Sequence, residues 1–179
     1  MSRLALYLLG APRFELDGQT VQLSRHKAVA LLAYLALTKQ THRRESLTAF
    51  FWPEYDVSRG RADLRRTLSV LNRTLGPGRL EVDRESARLN WEAEVWLDVD
   101  EFQARLVAGR RHGHPPDETC PACLSSLAEA VALYRDDFLA GFTLRDSAEF
   151  DDWQFFQTQE LRDKWVRAPS QPSTRRRFV

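Results

Sequence analysis

Between Leu4 and Trp91 the hydrophobic pattern changes period twice, and that order of elements leaves few folds open. Leu4–Leu9 is a short apolar run that stops at Gly10-Ala11-Pro12. Phe14 and Leu16 then alternate with polar neighbours, Asp17-Gly18 marks a turn, and Val21 and Leu23 alternate again. This predicts a small antiparallel sheet. From Ser24, a plausible N-cap, Ala28, Leu31, Leu32 and Leu35 fall at helical spacing and end near Thr38. A second helix is predicted from about Arg43 to Trp52, stopped by Pro53. Ser58 is the expected cap of a third, which runs to Leu75 and ends at Gly76-Pro77-Gly78. Two short strands follow, Leu80–Asp83 and Ala87–Trp91. Strands, three helices, then a hairpin is the order of a winged helix-turn-helix.

The remaining chain is predicted to be helical. From Leu97, Val99, Phe102 and Leu106 form one apolar stripe, and residues 109–119 read as a polar loop. Helices resume with Leu124, Leu127, Ala128, Val131 and Tyr134, and again from Glu149 to about Val166. Small and aromatic packing residues on paired helices suggest the start of a helical repeat array. Residues 168–179 carry two prolines and three arginines and abandon that pattern, which reads either as a basic, disordered tail or, the reading we favour, as a truncated or aberrant end. The expected organisation is therefore a winged helix over residues 1–95, a partial helical domain over 96–167 and a tail over 168–179.

Charge divides along the same line. The net value of +1 hides 15 Lys/Arg against 10 Asp/Glu in residues 1–93, and 8 against 15 in residues 94–167. The basic half is the candidate for a polyanion. No apolar run approaches the ~20 residues that span a bilayer, and Leu4–Leu9 lacks the flanks of a signal peptide. Two cysteines three residues apart are too few for a disulfide framework. The expectation is a cytoplasmic protein with no membrane partner.

Within the third helix, Leu68, Leu71 and Leu75 fall within about 40° of Leu64 at about 100° per residue. The opposite face presents Arg59, Ala62, Arg66, Ser69 and Arg73, flanked by Arg61 and Arg65. Five arginines oppose one acid, Asp63. Guanidinium groups suit phosphate oxygens and bond guanine O6 and N7 bidentately, and small Ala62 and Ser69 allow a close approach to a major groove. The plainer alternative is a solvated surface helix, since arginine is a good helix former.

The segment from Leu4 to Trp91 resembles the OmpR/PhoB-type winged helix of Streptomyces antibiotic regulatory protein (SARP)-like activators. The resemblance rests on LALYLLGAPRFELDGQTVQLSRHKAVALLAYLAL, on ESLTAFFWP and on SRGRADLRRTLSVLNRTLG. WLDVDEFQARL, LAEAVALYRDDFLAGF and EFDDWQFFQTQELRD are similar to that family's bacterial transcriptional activation domain, a tetratricopeptide-like module. About residues 4–167 are covered. The resemblance implies an α+β winged helix-turn-helix followed by an all-α domain, here shorter than the family's. It implies a major-groove helix carrying Arg59, Arg61, Arg65, Arg66, Ser69 and Arg73, and a backbone-contacting wing carrying Arg84 and Arg88. The helical wheel selects Arg65, Arg66 and Ser69 for base edges and the others for phosphate. Binding of double-stranded DNA as a dimer on direct repeats, and contact with RNA polymerase, are the partners implied. No cofactor is implied for DNA binding.

A second constellation is His112-x-His114 followed by Cys120-Pro121-Ala122-Cys123. Thiolate and imidazole are the ligands Zn²⁺ prefers, and four of them close a tetrahedron, so a zinc here is structural rather than catalytic. A polar loop with two unliganded thiols is the equal alternative. His26 and His42 read as surface or cap residues. The Asp136-Asp137 and Asp151-Asp152 pairs read as solvated surface, because adjacent positions do not share a helical face. Trp91, Trp96, Trp153 and Trp165 read as packing residues.

The sequence holds no Walker A loop, Gly-x-Ser-x-Gly elbow or His-Glu-x-x-His helix, so no enzyme is expected. Three functions remain on the sequence: a DNA-binding transcriptional activator, a protein-interaction adaptor built from the same two surfaces, and a structural zinc module without DNA affinity. The first accounts for most of the residues.

Overall fold

A computed structural model of the chain describes residues 3–109 and 120–166. His112, His114 and the segment 168–179 lie outside the described residues. The element order is a sheet region of mixed α/β character followed by helices.

Strands β1 (Leu4–Tyr7) and β2 (Arg13–Leu16) pair antiparallel with Leu6 opposite Phe14, and β2 pairs with β3 (Gln19–Val21). Asp17 and Gly18 both take positive φ, 53° and 77°, the pattern of a two-residue hairpin whose twist suits its strands. The sheet is not purely antiparallel as expected. β7 (Val95–Leu97) adds to its edge parallel to β1, with Leu4 opposite Val95 and Leu6 opposite Leu97. Three residues are too short to show a period, which is why this strand is silent in the sequence.

Helix α1 (His26–Thr38) is capped by Arg25 with no side-chain bond, so Ser24 is not the cap. Seven of its residues are buried, and it runs through the middle of the core. After the two-residue strand β4 (His42–Arg43) come α2 (Arg44–Phe51) and α3 (Val57–Leu75). The N-cap of α3 is Asp56, whose carboxylate accepts the Arg59 N–H at 3.0 Å, so Ser58 lies inside the helix. Leu64, Leu68, Leu71 and Leu75 are buried as the period requires, each contributing about 1.5–3 kcal/mol of transfer free energy. A three-stranded sheet in the order β4, β6 (Ser86–Leu89), β5 (Leu80–Val82) closes this region.

Helices α4 (Asp98–Ala108), α5 (Pro121–Leu133) and α6 (Ala148–Val166) form the rest. Their buried residues share one apolar cluster with the sheet and with α1–α3. Phe50 and Phe51 of α2 meet Phe150 of α6, and Trp153 packs edge-on to Tyr34 of α1 at 5.0 Å. Ser147 donates its hydroxyl to the Phe50 carbonyl at 2.7 Å, which holds the end of α2 against the start of α6. The aspartate pairs also serve this packing rather than solvent alone. Asp151 accepts the Leu144 N–H at 3.0 Å, and Asp137 takes the Arg162 guanidinium with Nε at 2.6 Å.

One buried carboxylate joins the end of the first strand to the start of α4. Asp98 is 1% exposed and accepts the Leu8 N–H at 2.8 and 2.9 Å and the Leu9 N–H at 2.9 Å. Arg135 stands 3.7 Å away. Beyond it, the Leu139 N–H donates to the Leu8 carbonyl at 2.9 Å and the Gly10 N–H to the Asp137 carbonyl at 3.0 Å. Burial pushes the Asp98 carboxyl above its ordinary value of 3.8, against the pull of those N–H groups and of Arg135. The folded state therefore holds this proton more tightly than the unfolded chain does. Its contribution to stability is fullest below pH 3.8 and declines as pH rises through the raised value.

Removing this side chain leaves two buried N–H groups without an acceptor, at about 1–3 kcal/mol each. Asp98→Ala is expected to lower the unfolding free energy in urea by about 2–5 kcal/mol, and Asp98→Asn, which keeps one acceptor oxygen, by less. An alanine variant as stable as the parent chain would show that the bonds are dispensable.

Candidate nucleic-acid interface

The exposed side of α3 carries every arginine that the period assigned to it. Arg59, Arg61, Arg65, Arg66, Ser69 and Arg73 are all exposed, as are Arg84 and Arg88 in the β5–β6 hairpin. They do not form one uniform face. Measured around the helix from Arg65, Arg61 lies at about −40° and Arg66 and Arg59 at about 100–120°, with Ser69, Ala62 and Arg73 between.

The Arg61–Arg65 edge faces an open cleft of about 990 Å³ between α3, the start of α2 and the hairpin tip. Its lining brings together Arg43, Arg44, Arg61, Arg65 and Arg84, against Glu45 and Glu85. Arg61 is paired to Glu45 at 2.6 Å, and Arg44 donates to the Asp83 carbonyl at 3.0 Å. Among the described residues, Arg43, Arg65, Arg73 and Arg84 make no ion pair. Their guanidinium groups face water and a polyanion would find them available.

On the other edge, Arg66 pairs with Asp63 at 3.0 Å and Arg59 lies over the Tyr55 ring at 4.0 Å. Arg88 is opposite Glu81 across the hairpin and bonded to it at 2.7 Å. The structure thus brings Arg61, Arg65 and Arg84 to one place and leaves Arg88 neutralised on its own strand pair. Arg43 and Arg44 are the cleft residues that periodicity missed. Their signal was an adjacent arginine pair at a helix start, which a reading focused on the third helix passes over.

Two local devices fix this geometry. A Cβ on Gly60 would lie 2.5 Å from the Thr48 Cγ2, and the Thr48 hydroxyl already donates to the Arg44 carbonyl at 2.7 Å. Only glycine lets α3 cross α2 this closely, with its N-terminal half beside the cleft. At the tip, Asp83 accepts the Glu85 and Ser86 N–H groups at 2.7 and 2.6 Å and the Ser86 hydroxyl at 2.8 Å. Those bonds hold the Asp83 carboxyl below its ordinary value and turn Arg84 outward. β4 then pins the tip to α2, with Arg43 opposite Ser86.

His42 lies in β4, opposite Ala87, and is half-buried rather than fully on the surface. Its Nε2 lies 2.7 Å from the Thr38 hydroxyl and its ring 4.8 Å from Tyr34. His26 is exposed and stacks on Phe142 at 5.5 Å. Trp91, Trp153 and Trp165 pack against the apolar cluster and Trp96 against the Tyr7 ring at 5.1 Å, so all four are packing residues. The sulfurs of Cys120 and Cys123 stand 3.4 Å apart at the start of α5.

No family model matches the chain, and no curated protein does. Among solved structures it is similar to Mycobacterium tuberculosis EmbR in complex with a low-affinity phosphopeptide, with a TM-score of 0.68 and 21% identity. The match covers 92% of this chain and 44% of that one, so this chain spans less than half the length of its neighbour. At that identity the likeness is one of fold. Among the described residues no helix is long and apolar enough to cross a membrane.

Burial lowers the His42 pKa below its ordinary value of 6.5, so the imidazole is neutral at neutral pH and charges only as pH falls below that value. Stability linked to it is present above pH 6.5 and is lost on acidification. An NMR titration is expected to give His42 a midpoint below 6.5. A midpoint above that value would place a cation at the base of the cleft.

Proposed function

We propose that the chain is a cytoplasmic DNA-binding transcriptional regulator of the SARP type, with residues 1–95 as a winged helix-turn-helix and 96–167 as a partial activation domain of tetratricopeptide-like helices. In this reading α3 enters the major groove of duplex DNA and the β5–β6 hairpin is the wing. One observation carries it: unpaired guanidinium groups from β4, α3 and the hairpin tip converge on one open cleft beside an arginine-faced helix. A surface helix stabilised for its own sake has no need of arginines from three separate elements. The EmbR-like fold and the sequence resemblance support the same assignment.

Arg43, Arg44 and Arg84 fit phosphate contacts, since they flank the groove helix rather than lie on it. Arg65, Arg66 and Ser69 fit base edges, with Arg59, Arg61 and Arg73 toward the backbone. Arg88 contributes little while Glu81 holds it. The acidic helical half repels the same duplex and is left for protein contacts, with RNA polymerase or a second copy on direct repeats as the partners that suit a regulator.

The test is fluorescence anisotropy of the full chain on a duplex from its own upstream region and on random duplex, across a salt series. The parent chain is expected to prefer the upstream duplex. Replacing Arg65 and Arg84 together by alanine is expected to weaken binding at least about tenfold and to reduce the salt slope by about 2. Arg88→Ala should change it by less than about threefold. Equal binding by the parent and the double variant would reject the interface. A folded chain that ignores both duplexes yet binds a protein partner would favour the adaptor.

A further inference from the structure

A helix with its side chains is about 10–12 Å across and a major groove about 12 Å wide, so a helix seated there has one phosphate strand along each flank. The cleft of Arg43, Arg65 and Arg84 serves one flank of α3. We propose that the other strand is held by Arg25, at the start of α1, and by Arg145, from the segment between α5 and α6, so that the helical half supplies a phosphate contact of its own. This rests on the DNA-binding reading above and carries it to the opposite side of the groove helix.

The helical period sets the two flanks. With Leu64 as the buried centre of α3, Arg61 and Arg65 lie about 60–100° to one side, and Thr67 and Asp63 about 60–100° to the other. Asp63 and Thr67 line a second open cleft, of about 620 Å³, which they share with Arg25, Lys27, Arg145 and Asp146. The charges of this cleft do not cancel. Lys27 pairs with Asp146 at 2.9 Å and Arg66 with Asp63 at 3.0 Å, so both acids are occupied. Arg25 and Arg145 are exposed and, among the described residues, neither makes an ion pair. Helix α1 also begins with no side-chain cap and no acid in its first turn, so its dipole adds to the same positive potential. Guanidinium groups suit phosphate oxygens, and an open cleft admits a continuous backbone.

Packing fixes the backbone on both sides of Arg145. Leu144 is buried and donates its N–H to Asp151 at 3.0 Å, while buried Ser147 holds the Phe50 carbonyl at 2.7 Å. Phe142 stacks on His26 at 5.5 Å, and Asp146 is tied to Lys27. The segment is thus docked on the start of α1 and the end of α2, with Arg145 pointing outward between two anchored neighbours. The helical half repels a duplex through its net charge, but at this segment its docking places a cation beside α3.

The experiment uses the full chain and a duplex from its own upstream region. Ethylation interference identifies the phosphates contacted, and anisotropy across a salt series weighs them. In the parent, interfering phosphates are expected on both strands. Arg25→Ala/Arg145→Ala is expected to lose those of one strand, to weaken binding about tenfold and to reduce the salt slope by about 2, whereas Arg65→Ala/Arg84→Ala loses those of the other strand. Arg145→Ala alone should reduce the slope by about 1, and Arg25→Lys/Arg145→Lys, which keeps the charge, should retain most of it. Because both side chains are exposed, the Tm of each variant should stay within about 2 °C of the parent's, which separates lost contact from lost fold. A parent that binds no duplex would reject the DNA-binding reading and the second flank together. A parent that binds, beside an Arg25/Arg145 double variant with the same affinity, slope and interference on both strands, would overturn the second flank alone. Unchanged duplex binding by that variant, with a rise in Tm on adding inorganic phosphate that only the parent shows, would assign the cleft to a free anion instead.

Discussion

The fold depends on a carboxylate that has no access to water. Asp98 opens α4, yet its oxygens serve the backbone of Leu8 and Leu9, at the point where the first strand leaves its sheet. A buried acceptor of this kind is worth having only if its donors are in place, since either partner alone is left desolvated. The arrangement therefore couples two segments ninety residues apart in an all-or-none way. β7 is the physical link, because its parallel pairing with β1 delivers Asp98 to the right depth. The backbone pairing of residues 8–10 with 137–140 extends the same seam into the helical half.

The basic cleft is set by a second group of contacts: α1 packs against α3 and β6, and α2 and α3 cross at the point where Gly60 removes a side chain. α2 is held from outside by Ser147, and by Lys27, which is bonded to the Phe51 carbonyl and paired with Asp146 at 2.9 Å. Packing thus fixes the end of α2, while β4 fixes its beginning against the hairpin. Arg43, Arg65 and Arg84 meet because three elements are anchored separately: β4 by its pairing with β6, α3 by its crossing of α2 at Gly60, and the hairpin tip by the bonds of Asp83.

Much of this was legible in the sequence, and the parts that were not have identifiable causes. The leucines of α3 at 64, 68, 71 and 75 announced both a buried stripe and, by subtraction, the exposed arginines, because a 19-residue helix spans several periods. Caps were less legible. Asp56 and Ser58 are both good cap residues two positions apart, and only the geometry shows which N–H is served. β4 and β7, of two and three residues, lie below the length at which alternation carries information. Asp98 carries no signal in the sequence around it, since burial through bonds to a distant strand leaves no local mark. The grouping of the arginines into a free cluster and a paired one was equally invisible, because Glu45 and Glu81 reach their partners through tertiary structure and strand register.

The central claim is that duplex DNA lies against the outer face of α3. The most direct measurement places a photo-reactive amino acid at Ser69, exposed in the middle of the arginine face, or at Phe156, 65% exposed on α6, and irradiates each full chain with labelled duplex. The account predicts a salt-sensitive crosslink from position 69 and none above background from position 156. A crosslink from position 156 with none from 69 would contradict it.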